Sequence, residues 1–178
     1  MIHESSDWKD PLLTSARRFR RFRKAASMSE QALTQIERDV FIGFYSIRKL
    51  MDKPGALTDA TRVSTWQCNV YPNKDRVNVL NNHRIDELFD MSSRQQETKC
   101  LGFLCNQVIH SFIFCTYLDE HYAFDGVLFA SDRDKDVKLY RVSAAALIEI
   151  FFRVGKDYPS QVHFHRDLAS GAVTTTSV

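Results

Sequence analysis

Six of the eight residues in the run Arg17-Arg18-Phe19-Arg20-Arg21-Phe22-Arg23-Lys24 are cationic, and the other two are phenylalanines. Guanidinium and ammonium groups at that density neutralise phosphates, which gives sequence-independent, salt-sensitive affinity, while the phenylalanines can stack on unpaired bases. An anionic membrane surface or an acidic protein would answer the same charge. Metal chemistry has thinner material. His163, His165 and Asp167 alternate along a segment that reads as a strand and so share one face, but no full ligand set is placed beside them. Asp132, Asp134 and Asp136 open like a calcium loop, yet Val137 and Ser143 stand where glycine and glutamate are needed. Cys100 and Cys105 are five apart, a spacing that projects them to different faces of a helix. Neither a Gly-rich phosphate loop nor a serine elbow occurs, so the expectation is no metal and no cofactor. Asp119, Glu120, His121, Tyr122 and Asp125 fall in one loop and receive no role.

The segment Leu104-Cys105-Asn106-Gln107-Val108-Ile109-His110-Ser111 resembles the signature helix of the HEPN superfamily. The ribonucleases of that family carry an arginine, a polar residue that is often asparagine, and a histidine about a turn later. Two such motifs, each near the end of a helical bundle, face each other across a dimer and cleave RNA without a metal. By that resemblance Asn106 takes the polar position and His110 the histidine, while Cys105 stands where the arginine would be. An uncharged thiol cannot stabilise transition-state charge as a guanidinium does. The literal Arg-x6-His string from Arg76 to His83 spans a predicted strand and a helix start, and reads as chance. Taken from the residues alone, His110 is a histidine satisfied inside the core beside Phe112 and Phe114. Two further stretches, Phe44-Tyr45-Ser46-Ile47-Arg48-Lys49-Leu50 and Arg84-Ile85-Asp86-Glu87-Leu88-Phe89-Asp90, look like parts of uncharacterised bacterial proteins and imply no activity.

These groups must be positioned by elements. Residues 12–51 contain no proline and one glycine, with Leu12, Phe19, Ala26, Leu33, Val40 and Ile47 at one seam position and Phe22, Ile36 and Leu50 at the other. That spacing predicts one long helix over 12–52, or two helices breaking near Ser27 to Ser29, with a single apolar stripe. Asp52-Lys53-Pro54-Gly55 stops it. A hairpin is expected over 61–80, turning at Pro72-Asn73-Lys74-Asp75, followed by a short helix over 84–91. Another helix is expected after Ser93, carrying Cys100, Leu104 and Val108, and residues 109–118 either extend it or form a buried strand. Strands at 124–130 and 137–142 flank a charged turn, Ser143 caps a helix to Val154, and 161–165 is a last edge strand. The fold class is therefore α+β: a long N-terminal helix plus an antiparallel sheet flanked by two or three helices. One domain should span 1–168, with 169–178 a flexible tail.

Charge and composition complete the expectation. Residues 1–24 hold seven Lys/Arg against three Asp/Glu, net +4; the whole chain is +2, so the remainder is −2. A basic arm on a slightly acidic body points to a polyanion. The four cysteines sit in apolar contexts without CxxC spacing and read as buried thiols of a reducing compartment. With no secretory signal and no transmembrane segment read in the sequence, the expected location is cytoplasmic. The function read from all this is a non-catalytic binding or accessory protein. Its long helix serves self-association as a homodimer or contact with a partner, and its basic end, Arg17, Arg18, Arg20, Arg21, Arg23 and Lys24, meets nucleic acid or an acidic protein. The alternatives are a divergent HEPN-like ribonuclease using His110 and Asn106, and a purely structural interaction subunit.

Overall fold

The computed structural model describes residues 4–168 and 170–178. In place of one helix over 12–52, the chain forms α1 (Ser6–Phe22) and α2 (Glu30–Asp52). The break falls at 23–29, the two-helix alternative. Ser29 caps α2 there, its hydroxyl accepting the Ala32 N–H at 3.2 Å, which satisfies one of the free donors of a helix start. The helices run antiparallel, tied by the Arg18–Asp39 ion pair and a Trp8–Tyr45 ring contact at 6.4 Å. Their shared stripe is turned inward: Leu12, Phe19, Ile36, Val40, Ile47 and Leu50 are buried in the chain's own core. Side chains so enclosed cannot also form an intermolecular seam. The homodimer expected through the N-terminal helix stripe therefore has no surface there.

A short α3 (Asp59–Arg62) leads into β1 (Thr65–Pro72); α4 (Ile85–Leu88), β2 (Gln95–Cys100), α5 (Leu101–Ile109), β3 (Ser111–Leu118), β4 (Phe124–Ser131), β5 (Lys138–Ser143) and α6 (Ala144–Gly155) follow. The five strands form one antiparallel sheet in the order β2-β1-β5-β4-β3. This is an α+β fold with an N-terminal helix. The expected 61–80 hairpin is absent, because β1 pairs with β2 and β5 instead of with residues 77–79. Asn78 and Asn81 hold those residues in a turn: their side-chain oxygens accept the N–H groups of Leu80 and Asn78, each at 2.8 Å. Residues 95–100, expected at the start of a helix, are the polar edge strand β2, and α5 begins only at Leu101. Residues 109–118 resolve as strand β3.

Helices α1, α2, α5 and α6 cover one face of the sheet, enclosing Phe44, Leu104, Phe129, Tyr140 and Phe151. Gly43 allows α2 to approach α6, since a Cβ there would lie 2.2 Å from the Phe151 ring. On the other face Tyr71, Ile113, Leu128 and Leu139 are roofed by Val77, Leu88 and Phe89 from the β1–β2 connection. Ser143 caps α6 as expected, accepting from the Ala146 N–H at 3.2 Å. The segment expected to be a flexible tail instead forms β7 (Val173–Ser177), paired with β6 (Val162–Arg166). It is anchored by the Ser177 N–H donating to Asp59 at 3.1 Å; Ala169 lies outside the described residues. No helix of the described residues is long and apolar enough to cross a membrane.

Candidate functional site

Two surfaces gather the residues singled out in the sequence. The first is the end of α1. Phe19 is 0% exposed, its ring against Phe124 at 5.4 Å and Phe151 at 5.6 Å, and Phe22 is half-buried against the same core. Phe19 is thus unavailable to stack on a base. Arg18 is also withdrawn, because Asp39 pairs with it while accepting a second hydrogen bond from Gln35 at 2.8 Å. Lys9, counted with the basic arm, is wholly buried. Arg17, Arg20, Arg21, Arg23 and Lys24 remain exposed, and none has a carboxylate partner among the described residues. At about 100° per residue, Arg17, Arg20 and Arg21 fall within about a third of the helix circumference, opposite Phe19, and Arg23 and Lys24 follow in the turn beyond it. Cations at a helix C-terminus also complement its negative end.

The antiparallel packing of α1 on α6 adds what sequence reasoning missed. Arg20 lies over the Phe152 ring at 4.3 Å, and Lys156 reaches the same ring at 5.2 Å. With Arg23 they line a groove of about 330 Å³ in which Glu149 is the one acid. Lys156 is remote in sequence, and its signal was only that it follows the helix end at Gly155.

The second surface is a cleft of about 700 Å³ between α5 and the tip of the β4–β5 hairpin. Its base is a hydrogen-bonded lock. Gln107 accepts the Ser131 N–H at 3.1 Å and donates to Asp134 at 2.8 Å, and the Tyr140 hydroxyl donates to the same carboxylate oxygen at 3.1 Å. Burial, reinforced by the Asp134 charge, pushes the Tyr140 phenol far above its ordinary range, so it serves as a donor. The Ser131 hydroxyl is buried beside this lock without a hydrogen-bond partner among the described residues. Asn106, His110 and Arg133 stand exposed on the rim, together with Asp132, which Lys135 engages. His110 caps the end of α5 and is not a core histidine. The Asp132 N–H to His110 carbonyl bond at 3.3 Å brings the hairpin, and with it Arg133, alongside α5. Nothing in the local sequence announces Arg133, because a strand pairing places it. Cys105 points into the core instead, its thiol pushed up to about 12 by burial.

The remaining groups stay scattered. His163 and His165 are exposed on β6, and among the described residues no three His, Cys, Asp or Glu side chains are grouped to hold a metal ion. Cys68 and Cys105 are buried and Cys115 half-buried, whereas Cys100, expected to be buried, is exposed at the start of α5. Its side chain makes no helix-cap hydrogen bond. A comparison of the chain with family models, curated proteins and solved structures finds no match.

Proposed function

We propose that this protein is a non-catalytic binding protein that docks nucleic acid on the basic end of α1. One observation carries the reading: Arg17, Arg20, Arg21, Arg23 and Lys24 are exposed without a carboxylate partner among the described residues, on a chain whose remaining residues are net acidic. The Phe152 groove extends that positive surface to Lys156. Contacts of this kind release counterions from the polyanion, so affinity falls linearly with salt on logarithmic axes. Arg17→Gln, Arg20→Gln, Arg21→Gln and Lys24→Gln in one variant should lower that slope on single-stranded RNA by about 3, at about 0.7 per phosphate contact. Arg18 is left intact because it ties α1 to α2. Binding whose salt slope is unchanged in the variant discards this docking site.

A second reading, the divergent HEPN-like ribonuclease, is favoured by a separate observation: Asn106 and His110 share one cleft with Arg133. A guanidinium supplied by the hairpin could take the charge-stabilising role that Cys105 cannot. This reading requires RNA cleavage in the presence of a chelator, abolished by His110→Ala and by Arg133→Ala with the fold intact. Cleavage that persists in both variants rules it out.

A further inference from the structure

β3 is an edge of the sheet, paired only with β4. Its eight residues, Ser-Phe-Ile-Phe-Cys-Thr-Tyr-Leu, include no charge and no proline. The opposite edge, β2, carries Glu97 and Lys99, the charged blunting that keeps an edge strand from pairing with another chain. Between the register irregularities at its two ends β3 has no such device. Among the described residues no backbone hydrogen bond joins residues 112–118 to anything but β4. The apolar surface continues onto the helix layer. Phe41 packs on Phe114 with ring centroids 4.6 Å apart. Beside them Ile42 is 54% and Tyr45 46% exposed, and Ile109 completes a shallow depression of about 280 Å³.

We propose that β3 is a self-association edge, at which two copies of this chain pair antiparallel through residues 111–118 and join two sheets into one. A two-fold axis normal to the sheet relates such strands, so both helix layers lie on the same face. The Ile42 and Tyr45 patch then meets its own copy above the junction. The same symmetry fixes the antiparallel sense: parallel pairing of two identical edges would turn the helix layers to opposite faces and leave each Ile42 and Tyr45 patch uncovered.

The proposal is independent of polyanion binding and is tested on the full chain by sedimentation over about two decades of concentration, because association is concentration-dependent. The wild type should be dimeric. Ile42→Glu at an exposed site and Thr116→Lys on the edge should each weaken the dimer at least tenfold with unchanged circular dichroism, while Thr116→Val retains it. Those amides of 111–118 that point away from β4 should resist hydrogen exchange in the dimer and exchange in the Ile42→Glu protein. A wild type that stays monomeric throughout, a dimer that survives both charged substitutions, or a dimer whose outward-pointing β3 amides are unprotected overturns it.

Discussion

Among the described residues Lys9 is the only lysine buried completely, and substituting it separates two contributions that usually coincide. Its ammonium donates to the Ala56 carbonyl at 2.7 Å and to the Asp157 carbonyl, and lies over the Tyr158 ring at 3.9 Å. One side chain thereby fastens α1 to the loop after α2 and to the loop after α6. Desolvation is the main influence on its pKa, which falls below the ordinary 10.5 despite the opposing field of Asp157. Lys9→Met keeps most of the buried stem but leaves two carbonyls without their donor, at about 2 kcal/mol or more in total from about 1–3 kcal/mol per unsatisfied acceptor. Lys9→Ala also removes three buried methylenes, about 2–3 kcal/mol more.

The pH dependence follows from the sign of the shift. Between the lowered folded-state pKa and 10.5 the unfolded chain binds a proton that the folded chain does not, so the Lys9 contribution raises stability as pH rises. Below the folded value both states are protonated and the contribution is flat. Urea unfolding from about pH 7 upward should show wild-type stability gaining on the Met variant as 10.5 is approached. A neutral amine retains two N–H groups, enough for both carbonyls. A difference between wild type and Lys9→Met that is flat or falls over this range refutes the reasoning, as does an Ala variant no less stable than the Met variant.

Two other outcomes follow from burial and backbone geometry. In the native protein Cys100 should react promptly with a disulfide reagent, Cys115 more slowly, and Cys68 and Cys105 only on unfolding. Burial pushes the three latter thiols up to about 11, about 11 and about 12 respectively, and the thiolate is the reactive form; rapid labelling of all four overturns this order. Gly126→Ala should cost about 2 kcal/mol or more, because the residue holds φ +141° and a Cβ would meet the Val142 carbonyl at 2.3 Å. A thermal melt within a degree or two of wild type would contradict that.

Local chemistry made part of this fold legible. Ser143 announces a helix start through its hydroxyl, and the heptad stripe correctly marks which side of α1 and α2 is buried, with the break near Ser27 to Ser29 as one of its two readings. The charged turn between β4 and β5 is a similarly local signal. Strand pairing was not legible, because β1 takes β2 and β5 as partners across long separations, while the nearby Val77 and Val79 are held in a turn by asparagine side chains. The same limit applies to the surfaces. Charge density marks residues 17–24, yet only the fold distinguishes the withdrawn Lys9 and Arg18 from the exposed Arg17, Arg20 and Arg21. Asn106 and His110 were visible as a motif, whereas Arg133 reaches their cleft through the β3–β4 pairing.

The position of the basic end within the sheet has a consequence for how tightly such a surface can hold its ligand. Phe19 rests on Phe124, the first residue of β4, while the cleft residue Ser131 is the last. The basic end and the α5 cleft therefore occupy opposite ends of one strand. Antiparallel pairing of β3 with its copy reverses the strand direction between subunits, so two basic ends would lie at opposite ends of the joined sheet with their helices on one face. On the proposed docking role, a single exposed cluster of five cations would give weak, salt-limited affinity. Two clusters fixed on one rigid face convert the second contact into an intramolecular one, strengthening binding only for a polyanion long enough to reach both. Self-association at an uncharged edge would therefore act on function through geometry, selecting long polyanions over short ones without any base-specific contact.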